Sequence, residues 1–331
     1  MFGPLWPSTV KRGYEPYSSG VEMRMVPDIA LIGVAKGGTT ALASWFDRHP
    51  DVAVSRVKEP NFFSQDVDPS QFSKAYRNMS PALPESYWSE VKLRPAHQDF
   101  VRDSARYARL FEHAQPGQKT LDASTSYFFS KTAPQALWEA NSNAHIVLLL
   151  RNPVDRAFSH FRMARKYGMV KGDFLSVLKE DAALPGIWGQ NENFVHLSLY
   201  AEALGRWQAI WPAEQLHIHV YEAFFQDATS SFAALCQSLG LAEMATESLQ
   251  RVFEGQDPAF PALQRFFMQH PLGRTLKSLL PPALLGNVKQ WLNSHQPLTL
   301  TGSERDQAWA FFREDVNQCQ ALLNRPLSLW S

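Results

Sequence analysis

The segment Gly33-Val34-Ala35-Lys36-Gly37-Gly38-Thr39-Thr40 combines glycines, a lysine and two hydroxyls at a spacing suited to holding an anion. Glycines permit the tight turn that lets backbone N–H groups close around a phosphate or sulfate. A helix that starts there points its positive end at the same place. Lys36 adds a point charge, and Thr39 and Thr40 add hydroxyl donors. The glycine spacing is that of a Walker A loop, yet Thr39 stands where that motif carries its lysine, and the lysine has moved to Lys36. The candidate anion-binding set is therefore Lys36, Gly37, Gly38, Thr39 and Thr40. A second candidate cation, Arg151, closes the apolar run His145 to Leu150, where a magnesium-dependent kinase or ATPase would carry an acid. A guanidinium cannot ligate a cation but grips a phosphate with paired hydrogen bonds. That exchange points to a phosphorylated ligand bound without metal.

Such residues need rigid elements to hold them. Ile29 to Val34 is a continuous apolar run of buried-strand type and Ala41 to Phe46 reads as a helix, so the cradle sits in a strand, loop, helix unit. His145 to Leu150 predicts a second buried strand; beyond Arg151, Asn152 suits a helix N-cap and Pro153 the first helical position. Leu216 to Tyr221 alternates enough to be a third strand and follows a helical stretch from about Leu199 to Trp211. This alternation predicts an α/β fold with a central, mostly parallel sheet flanked by helices. Gln65 to Phe100 is polar, aromatic and punctuated by proline, which predicts loops and short helices over the sheet edge, a candidate acceptor-binding lid. Pro258 to Pro297 breaks into short amphipathic pieces. Ser303 to Leu323 predicts one terminal helix whose stripe of Trp309, Phe312, Val316, Cys319 and Leu323 packs into the core.

Composition excludes several classes. With Lys plus Arg equal to Asp plus Glu at 32 each, no global field recommends nucleic acid or an anionic membrane as partner, so any anion site is local. Cys236 and Cys319 are too few for a disulfide framework or a metal cluster and are expected as free thiols in a reducing, cytoplasmic setting. His160, His217 and His219 lack partners at metal-ligand spacing, and no metal is expected. Met1 to Pro27 has no apolar run behind a basic start, so no signal peptide is expected, and no stretch approaches the length of a transmembrane segment.

Three groups of residues carry a family resemblance. Leu31 to Phe63, with Lys36-Gly37-Gly38-Thr39-Thr40-Ala41-Leu42, His49-Pro50-Asp51-Val52 and Lys58-Glu59-Pro60-Asn61-Phe62-Phe63, is similar to sulfotransferases that use 3′-phosphoadenosine 5′-phosphosulfate (PAPS), especially the heparan sulfate type and its bacterial relatives. Arg151-Asn152-Pro153-Val154-Asp155-Arg156-Ala157-Phe158-Ser159-His160 resembles the second signature of that family. Tyr200, Leu204, Trp207, Tyr221-Glu222 and Arg325 to Trp330 resemble bacterial members. The resemblance implies a P-loop-like sulfotransferase fold over 27–331 behind an extension at 1–26. It also implies that the first loop binds the 5′-phosphosulfate and that Arg151 and Ser159 bind the 3′-phosphate.

Glu59 sits just after the helix that follows the cradle; by themselves the residues leave it open between a base and an ion pair with its neighbouring lysine. By its position the resemblance makes it the general base, with Lys36 stabilising the leaving phosphate. Lys58 stays open between an assisting cation and a solvent-facing lysine. Sulfonate transfer from PAPS to a hydroxyl or amine of a carbohydrate, lipid or other metabolite is the expected reaction. Ala123, where heparan sulfate enzymes often carry a lysine, argues against a heparan-like acceptor. Gly273-Arg274 or Lys277 are candidates for the loop that closes over PAPS. The competing readings are a P-loop kinase of a small metabolite and a non-catalytic nucleotide-binding module.

Overall fold

The computed structural model describes residues 26–244 and 298–330. Strands β1 (Ile29–Gly33), β2 (Val52–Val54), β3 (Val57–Glu59), β4 (Ala96–Gln98), β5 (Lys119–Asp122), β6 (His145–Leu150) and β7 (Leu216–Val220) form two sheets. The larger has the order β2-β5-β1-β6-β7 and the smaller pairs β3 with β4. All the pairings are parallel. The expected parallel core is therefore present, and β1, which leads into the cradle, lies at its centre between β5 and β6.

Continuous apolar runs make these strands because both faces are covered. Ile29 and Leu31 of β1, with Val147 and Leu149 of β6, pack to one side against Leu42, Trp45 and Phe46 of helix α1 (Thr39–Phe46) and against Phe232 and Leu235. Ala30, Ile32, Ile146, Leu148 and Leu150 pack to the other side with Phe128, Leu204 and Trp207. The alternation along each strand divides its side chains between the two layers. Each fully buried Leu, Ile or Phe contributes roughly 1.5–3 kcal/mol through removal from water.

The helix expected after Arg151 runs Pro153–Lys166, with Asn152 Oδ1 accepting from Val154 N at 3.0 Å and Asp155 N at 3.3 Å, as its cap was predicted to do. The helix expected near Leu199 to Trp211 is Ala201–Ile210, and Asp315 caps it from outside, accepting from Tyr200 N at 2.6 Å and Ala201 N at 3.0 Å.

Four sequence expectations are corrected. Tyr221 does not end β7 but opens the helix Tyr221–Gln226. Glu59 does not directly follow α1: β2 intervenes and Glu59 is the last residue of β3. The 65–100 region contains short helices as expected, among them Lys74–Met79 and Glu85–Trp88, but also β4. The single terminal helix is two, Gly302–Trp309 and Arg313–Leu323. Its apolar stripe serves two different clusters: Ala308 and Phe312 pack with Val154, Ala157 and Phe161, whereas Val316 and Cys319 pack with Tyr200 and Leu204. A straight helix cannot face both, and the chain turns between them through tight bonds from Phe311 N to Ala308 O (3.2 Å) and Phe312 N to Trp309 O (3.0 Å). Residues Pro258 to Pro297, including Gly273, Arg274 and Lys277, lie outside the described residues, as does the 1–26 extension apart from Val26.

Candidate active site

In open α/β sheets ligands settle beyond the carboxyl ends of the strands, where neighbouring connections part to opposite sides. A cleft of about 760 Å³ opens here, and Lys36, Gly38, Thr39, Thr40, Glu59, Arg151 and Ser159 all line it. Gly37 does not line it: a Cβ there would meet Val34 Cγ2 at 2.7 Å and Leu149 O at 3.0 Å, so this glycine lets the loop lie flat on the sheet.

The cradle owes its shape to local constraints. Gly38 is the N-cap of α1 with φ 88°, and a Cβ on it would come within 2.9 Å of the rings of Phe225 and Tyr221. It gives α1 no capping side chain, which leaves first-turn N–H groups for an anion. Lys36 is held at φ 68°, a left-handed conformation that costs a lysine about 1–2 kcal/mol. Arg151 Nη1 donates to Lys36 O at 2.8 Å, so the second cation pins the loop that carries the first. The Arg151 guanidinium also lies 4.5 Å above the Tyr221 ring, and Tyr200 Oη donates to Arg151 O at 3.0 Å.

The charge at this end of the cleft is positive and only partly compensated. Lys36 Nζ meets Met163 Sδ at 3.6 Å rather than a carboxylate. Burial, helped by Arg151, Arg156, Lys58 and Arg162, pulls its pKa down from 10.5 to about 8. Arg151 Nε is buried without a hydrogen-bond partner among the described residues. Arg162 and Ser159 line the same end from helix Pro153–Lys166. An unpaired donor, a depressed ammonium and bare helix N–H groups together fit a multiply charged anion.

Glu59 lines the same cleft. Lys58 Nζ is in direct contact with Glu59 Oε1, and Thr125 Oγ1 donates to Oε2 at 2.8 Å. Burial pushes the Glu59 pKa up, but the charge and hydrogen bond of Lys58 and the Thr125 hydroxyl outweigh it and hold the carboxylate below its usual range. The ion pair with Lys58 that the residues left open is thus present, and it favours the ionised form of Glu59.

Asp122 stands outside the cleft. It is fully buried, accepts from Tyr107 Oη at 2.8 Å, Tyr127 Oη at 2.7 Å and Ser124 Oγ at 2.7 Å, and burial raises its pKa to about 6. Tyr127 Oη accepts from Phe62 N at 3.0 Å, and Ser124 Oγ from Asn61 N at 3.0 Å. Asp122 therefore fixes the loop that follows Glu59. Ala123 is also fully buried and packed in the core.

The histidines are explained by packing. Burial lowers His160 to about 4 and places it against Phe194, with its rings 4.9 Å apart. His217 and His219 are likewise lowered to about 4. Among the described residues no group of three or more His, Cys, Asp or Glu could hold a metal ion. Cys236 and Cys319 are free and buried, and no described helix is long and apolar enough to cross a membrane.

Sequence reasoning missed other polar and aromatic residues of the lining, among them Tyr76, His97, Gln98, Thr125, Trp188 and Glu192. Thr125 lay in a segment already singled out, but nothing in the spacing linked it to Glu59. Glu222, noted only as part of a resemblance, accepts from Asn152 N at 2.9 Å and from Trp330 Nε1 at 2.9 Å, tying the chain's last described residue to the loop behind Arg151.

Comparison with known proteins places this geometry. The profile of the family described as "Sulfotransferase domain" matches residues 26–255. Mouse (Mus musculus) heparan sulfate glucosamine 3-O-sulfotransferase 3B1 is 23% identical over 303 residues, covering 88% of this chain and 67% of the relative. Mouse heparan sulfate glucosamine 3-O-sulfotransferase 6 is 24% identical over 252 residues, 76% of this chain and 62% of the relative. The chain thus spans about two thirds or less of the length of these curated relatives. Among solved structures, a sulfotransferase from Alicyclobacillus acidocaldarius has the same fold, with a TM-score of 0.62 and 23% identity over 92% of this chain and 98% of that one.

Proposed function

Because the chain belongs to the PAPS-dependent sulfotransferase family, we propose that it transfers the sulfonate of PAPS to an acceptor hydroxyl, with Glu59 as general base and Lys36 beside the leaving phosphate. One observation carries this reading: Lys36, Gly38, Thr39, Thr40, Arg151, Ser159 and Glu59 all line a single cleft. The cradle, with Lys36, Thr39 and Thr40, receives the 5′-phosphosulfate, and Arg151 and Ser159 receive the 3′-phosphate. Glu59 Oε takes the proton of the acceptor hydroxyl while the oxygen forms a bond to sulfur. The sulfur bond to the bridging oxygen breaks, its electron pair stays on that oxygen, and adenosine 3′,5′-bisphosphate leaves. Lys36 neutralises the charge that grows there, as a preorganised cation in a partly dry site does best. The curated relatives carry heparan sulfate glucosamine 3-O-sulfotransferase in their names, which supports a carbohydrate hydroxyl over an amine. A cytoplasmic location, from two unpaired cysteines, belongs to the same reading.

The test is transfer of ³⁵S from labelled PAPS to a panel of carbohydrate, lipid and small alcohol acceptors in the presence of EDTA. Label in one acceptor, with one bisphosphate released per product, is the expected result. Transfer of the terminal phosphate of ATP in magnesium, without sulfonate transfer, would restore the kinase reading.

A further inference from the structure

The acceptor end of the cleft is built before any substrate arrives. Tyr76 Oη accepts from Gln98 Nε2 at 3.1 Å and from Trp188 Nε1 at 3.0 Å, joining three segments far apart in sequence. Ser73 N donates to Gly189 O at 2.8 Å, and Gly189 adopts φ +77°, where a Cβ would strike Phe72 Cδ1 at 2.2 Å. This position requires glycine, and beside it Trp188 lines the cleft. Both bonds at Tyr76 are accepted ones, so its own hydroxyl proton stays available to a bound oxygen. Gln98 stands in register with Glu59 across β3 and β4, so this wall begins beside the base.

Two carboxylates, Glu59 and Glu192, line the cleft with this wall. Glu192 lines the cleft, and its Oε2 lies 3.4 Å from His160 Nε2, on a ring that burial keeps neutral. Glu59 and Glu192 are near enough to Tyr76 for both to oppose loss of its proton. Among the described residues the lysine and arginines that line the cleft are Lys36, Arg151 and Arg162, which lie at the end assigned to the donor phosphates. Glu59 is paired with Lys58, so Glu192, beside a neutral ring, is the lining carboxylate left to repel an anionic partner and favour hydroxyl donors.

We propose that the acceptor is an uncharged, hydroxyl-bearing ring, its face on Trp188 and its hydroxyls shared between Glu192 and Tyr76, and that Trp188 and Glu192 set acceptor specificity. This inference rests on the transferase reading above and narrows it: the substrate class is neutral glycosides rather than sulfated or uronate-bearing glycans.

The test uses the full chain at saturating PAPS with methyl cellobioside as the neutral probe and a heparin-derived hexasaccharide as the anionic one. The neutral probe is expected to have the higher kcat/KM, by roughly tenfold or more. Trp188→Ala and Glu192→Lys are expected to raise its KM by a similar factor while kcat and the KM for PAPS stay within about twofold, whereas Trp188→Phe retains most of the affinity. Glu192→Lys is also expected to shift preference toward the hexasaccharide. A wild-type preference for the hexasaccharide, no transfer to the neutral probe, or an unchanged KM in both Trp188→Ala and Glu192→Lys overturns the inference. Stabilisation of each protein by adenosine 3′,5′-bisphosphate is measured in parallel. If it persists when the acceptor result fails, only the acceptor assignment falls; if the wild type lacks it, the transferase reading itself falls.

Discussion

The two ends of the cleft are made differently. The end proposed for the donor grows out of the central sheet: the cradle continues β1, Arg151 follows β6, and Tyr221 follows β7, so neighbouring strands deliver the cations side by side. The acceptor end is laid over that sheet by Tyr76 from a short helix, Gln98 from a strand of the small sheet, and Trp188 and Glu192 from a loop, joined by side-chain hydrogen bonds. Backbone geometry fixes the first and side-chain identity fixes the second. A fold can therefore keep its donor chemistry while the acceptor wall changes residue by residue.

Glu59 stands where the two ends meet, and its substitution gives the largest expected effect. In Glu59→Gln, which keeps size and hydrogen-bonding capacity, turnover is expected to fall by about 10²–10⁴-fold while PAPS affinity barely changes, read from kcat against the bisphosphate Kd. A large loss of donor affinity instead would make Glu59 a structural partner of Lys58 and erase the division between the two ends. Next comes Arg151→Ala, expected to weaken bisphosphate binding by about 1.5–3 kcal/mol in calorimetry, the worth of hydrogen bonds to a charged group.

A pH effect comes third. In its proposed role Lys36 holds the donor as a cation, and its free-state pKa stands near 8. Bisphosphate affinity is therefore expected to fall as pH rises above about 8, by up to about tenfold per unit until the bound lysine also loses its proton. For the empty enzyme the sign reverses. The unfolded chain holds this proton more tightly, so the contribution of Lys36 to stability grows as pH rises from about 8 towards 10.5. A flat binding profile over that range would show that Lys36 does not face the donor. The smallest effect is expected from Ser159→Ala, a loss of about 0.5–1.5 kcal/mol in bisphosphate binding by the same calorimetry, the net worth of one neutral hydrogen bond.

This division also explains what the sequence discloses. Gly38, Thr39, Lys36 and Arg151 were legible because a strand, a turn and a helix N-terminus follow one another without a break, and local pattern suffices to read them. The parallel sheet was legible from the apolar runs of β1 and β6. Tyr76 and Trp188 were not, since their partnership depends on a contact between segments more than a hundred residues apart, 112 by position, and neither segment has a periodicity that announces it. The surroundings of Asp122 were not legible for the same reason: the two tyrosines that enclose it, Tyr107 and Tyr127, come together only in the folded chain. The break in the terminal helix was hidden because a single stripe of apolar residues does not reveal that it serves two clusters.

The central claim is that the donor end binds an adenosine bisphosphate through cations and backbone, with no divalent metal. Its most direct measurement is the melting temperature of the full chain in EDTA with adenosine 3′,5′-bisphosphate, set against ATP with magnesium. Ligand that binds the folded state alone stabilises it by about 2.7 kcal/mol at a hundred times Kd. The account predicts a clear rise with the bisphosphate in EDTA and a much smaller one with magnesium and ATP; the reverse order would contradict it.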